Sequence, residues 1–309
     1  MNTLMKYSCR LAGVGAAAIA YGALIERNAF VLRERHAPVL PRGARPLRIL
    51  QVSDIHLMPK QRRKVTWIAE LARLRPDMVV NTGDNLSHAE SVGPLLDAMA
   101  PFLDLPGAFV LGSNDYFSPS PKNPARYLFG KYTEPTTPRL PTEALAAGLA
   151  SQGWLDLTNA RAPLSVGGLQ LELVGVDDPH LDYDRYEDVA GPADPDADLT
   201  VGVLHAPYQR VLNAMTSDGA GMIIAGHTHG GQLAVPVYGA LVTNCDLDTS
   251  RAKGVSRWWP GAGSTPSSQA PDGAAWMHVS AGLGTSPWAP MRFACRPEAT
   301  LLTLTPREE

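Results

Sequence analysis

Between Leu47 and Asp115 the chain alternates short apolar runs with stretches of helical spacing, and each apolar run ends abruptly in polar residues. "LRILQVSD" (47–54) leads to "VTWIAELARL" (65–74), "DMVVNTGD" (77–84) leads to "VGPLLDAMAPFL" (92–103), and "GAFVLGSND" (107–115) follows. Runs of this length read as buried strands, and apolar residues recurring every third or fourth position read as helices. Repeated alternation of the two restricts the chain to a layered α/β arrangement. After Gly153 the texture changes. "LQLELVGVD" (169–177) alternates apolar and polar residues, as a strand with one exposed face does. "LTVGVLHAP", "GMIIAGHTHGG", "AWMHVSAGLG" and "ATLLTLT" then supply further strands. The pattern predicts two stacked sheets with helices outside, both halves lying in one domain.

Two segments interrupt the pattern and read as loops. Tyr116 to Pro141 is rich in proline and mixes aromatics with Arg126, Lys131 and Arg139; Ser256 to Gly273 is rich in Gly, Ser and Pro. The first follows a strand with polar residues at its end, which suits a wall or lid over a site. Within the second, Trp258 and Trp259 suit either lipid contact or a hydrophobic plug.

The N-terminus carries an uncharged run from Leu11 to Ile25, preceded by Lys6 and Arg10. A spanning helix needs roughly 17–25 apolar residues, so this run is short for one. We expect residues 1–45 to form an apolar membrane anchor and linker, and residues 46–309 the folded domain. Arg27, Arg33, Arg35, Arg42 and Arg45 follow the run and outnumber the cations before it, which leaves the side of the membrane open. Net charge is −3 over 309 residues, which provides no field for holding nucleic acid. No protein partner follows from the sequence. Cys9, Cys245 and Cys295 show no metal-type spacing.

Five strand ends share one chemistry: "SDIH" with Asp54 and His56, "TGDN" with Asp84, "GSND" with Asn114 and Asp115, "LHAP" with His205, and "GHTHGG" with His227 and His229. Singly, each is ordinary turn chemistry. Together, on loops that converge at one end of a sheet, carboxylates, imidazoles and an amide are the set that borderline divalent cations prefer. A bridging carboxylate holds two metals about 3.5–4 Å apart. Gly226, Gly230 and Gly231 allow backbone angles closed to other residues. An extended backbone would point His227 and His229 the same way.

The ordered set resembles the calcineurin-like metallophosphoesterases, whose pattern is D-x-H, G-D, G-N-H-D/E, H and G-H-x-H. It is most similar to their bacterial branch with an N-terminal membrane segment; "VSAGLGTSPWAPMRFACRPEATLLTL" is also similar there. The resemblance implies a four-layer αββα sandwich of two mixed sheets. It implies two divalent ions (Mn, Fe or Zn), the first held by Asp54, His56 and His229, the second by His205 and His227, with Asp84 bridging. It further implies hydrolysis of a phosphomonoester, phosphodiester or pyrophosphate by a hydroxide bridging the metals. An anchored site suggests a lipid- or envelope-linked ester.

One motif departs from the family. The residues aligned with its third Asn-His pair are Ser113 and Asn114. A serine hydroxyl is a poorer ligand than an amide oxygen, which favours a backbone shift that brings Asn114 to the second metal; otherwise Asn114 stands where the transition state is contacted. No imidazole here can donate a proton, a contribution typically worth about 10²–10⁴-fold. His88, His180 and His278 are the candidate replacements. Asp177 and Asp178 suit either the orientation of a ligand histidine or turn chemistry. Arg292 and Phe293 match a family motif that suits either packing or a charged bond inside the fold. The departure also supports a second reading, a binding module that kept the fold and lost catalysis.

Overall fold

The computed structural model describes residues 13, 15–121, 136–263 and 269–308. In chain order its main strands and helices are β1 (Val31–Leu40), β2 (Leu47–Val52), α1 (Arg62–Glu70), β3 (Met78–Asn81), α2 (Val92–Met99), β4 (Gly107–Phe109), α3 (Thr142–Ala150) and β5 (Leu155–Asp156). The second half supplies β6 (Ala160–Val166), β7 (Leu169–Gly175), β8 (Leu199–Val203), α4 (Gln209–Ser217) and β9 (Met222–Ala225). A small hairpin, β10 (Ala234–Val235) and β11 (Gly239–Ala240), precedes β12 (Gly254–Trp258), β13 (Ala275–Val279) and β14 (Glu298–Pro306).

Two six-stranded mixed sheets result, ordered β1-β14-β2-β3-β4-β5 and β12-β13-β9-β8-β7-β6. Within the first, β2, β3 and β4 run parallel; within the second, β7, β8 and β9 do. Parallel neighbours need a crossover, and α1, α2 and α4 provide three of them.

Side-chain alternation builds the layers. Ile49 and Val80 of the first sheet and Ile224 of the second meet in the core between the sheets. Their neighbours Leu50 and Val79 turn outward onto Ile68, Leu95 and Leu145 of the helices, while Ile223 turns onto Val211, Leu212 and Met215 of α4. The chain is therefore a four-layer αββα sandwich, as its strand and helix patterns predict.

Because β2, β3 and β4 share a direction, their polar ends emerge on one edge, as do those of β8 and β9. A buried polar bridge ties these edges together. Gln51 Nε2 donates to the Ala225 carbonyl at 2.8 Å, and His278 Nδ1 lies 2.6 Å from Gln51 Oε1. Both side chains are fully buried, one residue or two below the polar turns.

The structure bears on three expectations. The run Leu11–Ile25 lies partly outside the described residues. Among the described residues no helix is long and apolar enough to cross a membrane. Residues 31–40, read from sequence as linker, form edge strand β1, which pairs in parallel with β14. "VLRERHAPVL" hides this because edge strands tolerate charged side chains facing water. Part of the loop at Ser256–Gly273 is edge strand β12, and Trp258 is wholly buried with its Nε1 donating to Asn213 Oδ1 at 3.0 Å. It is the hydrophobic plug, and lipid contact by Trp258 is ruled out. Residues 122–135 of the first loop and 264–268 of the second lie outside the described residues. Cys245 and Cys295 are both free thiols.

Candidate metal centre

The turns after β2, β3 and β9 place their functional residues on left-handed backbone: Asp54 (φ 48°), His56 (φ 43°), Asp84 (φ 55°), His227 (φ 69°) and His229 (φ 51°). Non-glycine residues adopt this region at a cost, and clusters of such residues mark functional sites. Lacing between the turns offsets the strain. Asp54 N donates to Gly83 O (2.9 Å), His56 N to Asp84 O (3.0 Å) and Leu57 N to Asn85 O (2.8 Å). His227 N donates to Asp54 Oδ2 at 3.0 Å, which joins the two sheets at the site. Gly226 leaves no room for a side chain, because a Cβ would strike the Ser53 hydroxyl and the Asp54 carboxylate. His227 and His229 are therefore not directed by an extended strand, as the alternation argument requires. Two left-handed residues separated by Thr228 turn them to different partners.

Asp84 stands between two groups. Its Oδ2 lies 3.4 Å from His56 Nε2 and its Oδ1 lies 3.5 Å from His205 Nε2. On the first side, His56 Nε2 is 3.2 Å from His229 Nε2, and Asp54 Oδ1 is 3.5 Å from His229 Nε2. One ligand atom from each of Asp54, His56, Asp84 and His229 falls within 4.8 Å of the others. On the second side, His205 Nε2 faces His227 Nδ1 at 3.3 Å. Their far nitrogens face carbonyls, His205 Nδ1 on Thr82 O (2.7 Å) and His227 Nε2 on Asn244 O (3.1 Å). A carbonyl only accepts, so His205 Nδ1 carries the hydrogen. At His227 Nε2 the Asn244 carbonyl is nearer than the Asn244 amide nitrogen (3.4 Å), which favours the hydrogen there too, and the two lone pairs then face one another. A shared proton or a cation relieves that opposition. This donor set, with its outer carbonyl partners, fits a divalent metal.

The electrostatics agree. Burial, together with the neighbouring Asp84 charge, pushes the Asp54 carboxyl up to about 6. Burial also acts to raise Asp84, but His205 and His56 outweigh it and hold that carboxyl well below its ordinary range. Burial lowers His56 to about 4 and holds His227 and His229 well below the ordinary imidazole value. At His205 burial is overcome by Asp84, Asp178 and Asp54, which raise it to about 9. In the metal-free site His205 is the group that carries the proton.

Asn114 lies on the single helical turn Ser113–Tyr116, where its backbone N donates to Asp84 Oδ1 (2.7 Å) and its Nδ2 to Asp84 Oδ2 (2.8 Å). Ser113 Oγ is 3.3 Å from that same Nδ2. Of the replacement imidazoles, only His180 approaches the site. Its ring centroid is 4.6 Å from that of His227, and its Nδ1 is 3.0 Å from the Tyr208 hydroxyl. His88 caps the turn at Ala89–Ser91 by accepting from Glu90 N, and His278 belongs to the Gln51 bridge. Asp178 Oδ1 accepts from His180 N, two residues on, while Asp177 accepts from the Tyr116 hydroxyl. Arg292 is wholly buried and donates to the carbonyls of Ala281 (2.7 Å), Gly282 (3.1 Å) and Gly284 (2.7 Å), with its Nη2 3.1 Å from His229 Nδ1.

Sequence reasoning singled out Asp115 without a role and passed over Lys64. The buried Asp115 carboxylate accepts from Asn85 N (2.8 Å) and Gly112 N (3.0 Å), joining the Asp84 turn to the Asn114 turn. Lys64 of α1 donates to Ile55 O at 2.6 Å, bracing the turn between Asp54 and His56. Asp115 is visible in "GSND", but spacing alone does not separate a carboxylate that holds a turn from one that holds a ligand.

The calcineurin-like phosphoesterase model matches residues 47–231. This chain belongs to that family. It is 26% identical over 276 residues to the metallophosphoesterase YkuE of Bacillus subtilis (strain 168), covering 86% of this chain and 82% of that protein. With YpbG of the same organism it shares 27% identity over 243 residues, 76% of this chain and 83% of the other. Among solved structures it is similar to TT1561 of Thermus thermophilus, with a TM-score of 0.40 and 11% identity over 77% of this chain and 91% of that one. Membership places the protein among the metallophosphoesterases, with Asp54, His56, Asp84 and His229 as its candidate metal-binding cluster.

Proposed function

We propose that the protein is a binuclear metal-dependent hydrolase of phosphoric esters. The observation that carries this reading is Asp84, whose two carboxylate oxygens face histidines of two different groups, His56 and His205. Asp54, His56 and His229 would hold one divalent ion (Mn, Fe or Zn). His205, His227 and Asn114 would hold the other, and Asp84 would bridge. Bound there, such ions act as Lewis acids on the phosphoryl oxygens and lower the pKa of water.

Protonation and orientation of the ligands come from the chain itself. Burial keeps His56, His227 and His229 neutral, as ligands must be. Thr82 and Asn244 hold the second pair of imidazoles with lone pairs turned inward. The turn at Ser113–Tyr116 supplies an amide and a hydroxyl but no imidazole, so leaving-group protonation is weak at that position. Substrates with good leaving groups, such as pyrophosphates or activated diesters, suit the site better than alkyl monoesters.

A metal-reconstituted screen over monoesters, diesters and pyrophosphates, soluble and lipid-linked, tests the proposal. Turnover is expected only with divalent metal and to be fastest on the better leaving groups. The altered Ser113–Asn114 motif favours one other reading, a binding module. Fewer than about one metal per chain after Mn or Zn supplementation, with no turnover, would establish that reading instead.

A further inference from the structure

Every exposed large apolar side chain among the described residues falls in one of three stretches: 19–25, 233–241, and Trp288. The three stretches meet. Tyr21 packs edge-on against Phe293 with ring centroids 6.4 Å apart, and Arg292 N donates to Gly22 O at 3.2 Å. On the other side Leu233 bridges to Phe293, and Ala234 N donates to Phe293 O at 2.8 Å. The segment from Trp288 to Phe293 is thus the seam between the helical stretch that ends at Tyr21–Ile25 and the β10–β11 hairpin.

We infer that this seam is a docking surface for a lipid bilayer with anionic headgroups. Four observations select that occupant. First, the patch is uncharged: residues 13–25, 232–245 and 283–291 contain no Asp, Glu, Lys or Arg. Second, cations flank it. Arg27 and Arg296 border the seam, and Glu26 beside Arg27 is buried and accepts from Ala294 N and Cys295 N. A cationic rim around an apolar centre complements anionic lipid. Third, the patch projects. Val237 at the hairpin tip is fully exposed and sits at φ 72°, so a β-branched side chain is held out in water on strained backbone. Helical residues 15–20 stand clear of the domain, whose contact with the helix begins around Tyr21 and the buried Gly22. A protruding wedge enters fluid lipid readily, whereas a second copy of the chain would need a matching recess. Fourth, Tyr238 and Trp288 are exposed aromatics of the type that settles at headgroup level.

This surface lies on the domain and requires no spanning helix. The hairpin root rests on the metal-centre turn, since a Cβ on Gly231 would strike Ala240. Docking would therefore hold the His229 turn close to the headgroups.

The test uses the full chain with vesicles of phosphatidylcholine, alone or mixed with phosphatidylglycerol. The protein should sediment with the mixed vesicles and less well with the neutral ones. Val237→Glu with Tyr238→Glu should lower partitioning by about tenfold or more, with thermal unfolding and hydrolysis of a soluble ester unchanged. Brominated lipid should quench Trp288 fluorescence, and Trp288→Phe should remove that quenching. No sedimentation, or sedimentation indifferent to the hairpin double variant, overturns the inference. So does a concentration-dependent dimer that the double variant dissolves, which would assign the patch to a second copy. Sedimentation, quenching and oligomeric state do not depend on metal or turnover, so their outcome is separable from that of the proposed hydrolase; ester hydrolysis serves only as a control on the double variant.

Discussion

The two sides of the Asp84 carboxylate differ in kind. Asp54, His56 and His229 form a compact cluster with Asp84, braced from behind by Lys64 and Arg292. The opposite side has the facing pair His205 and His227, with Ser113 and Asn114 where the family pattern has an amide and an imidazole. The first side is held by buried cations that touch backbone carbonyls or a ligand ring. The second is held by carbonyls that fix histidine tautomers, and it stores a proton on His205. A rigid, crowded side and a sparser, protonated side should bind metal with different strength and different pH dependence.

Changing the shared carboxylate should erase the contrast. Asp84→Asn is expected to remove metal from both sides and reduce turnover by about 10⁴-fold or more, as read by elemental analysis and single-turnover kinetics. Two metals retained with unchanged turnover would discard the bridging role.

Arg292→Ala should break the rigid side alone. The variant leaves buried carbonyls of Ala281, Gly282 and Gly284 without their donor, for a loss of about 3 kcal/mol in denaturant unfolding. The first metal should weaken and the second should not.

Acidity sharpens the comparison. His205 has its folded pKa raised to about 9, so at neutral pH the metal-free second side is protonated and must release that proton to bind. Affinity for the weaker metal should therefore rise by up to about tenfold per pH unit from 7 towards 9 and level off above, while the stronger metal changes less. Calorimetry in buffers of different ionisation enthalpy would count the protons. The same linkage makes the His205 contribution to metal-free stability present at low and neutral pH, above all below the unfolded value of 6.5, and lost as pH rises through about 9.

Asn114→Ala should have the smallest effect, weakening the second metal by roughly tenfold and leaving the first intact. Equal, intact loading of both sides in this variant would point to Ser113 or to no ligand from this motif.

Much of this contrast is legible in the residues. "SDIH", "TGDN" and "GHTHGG" each end an apolar run, and the structure gathers all three. The layers were equally readable, because Ile49 and Leu50 or Ile223 and Ile224 must face opposite ways along a strand. Edge strand β1 was not, since its charged residues are compatible with linker and edge alike. Nor was the left-handed geometry of Asp54, His56, Asp84, His227 and His229, which depends on hydrogen bonds between turns far apart in the chain.

Local pattern alone decided that this chain builds two stacked sheets with acidic and imidazole groups at their strand ends, because strand periodicity and turn chemistry act over a few residues. Only the tertiary structure decided how those groups pair. Which nitrogen faces inward, which carboxylate stands between the histidines, and where the N-terminal run comes to rest depend on carbonyls and rings contributed by distant strands, which local periodicity does not encode.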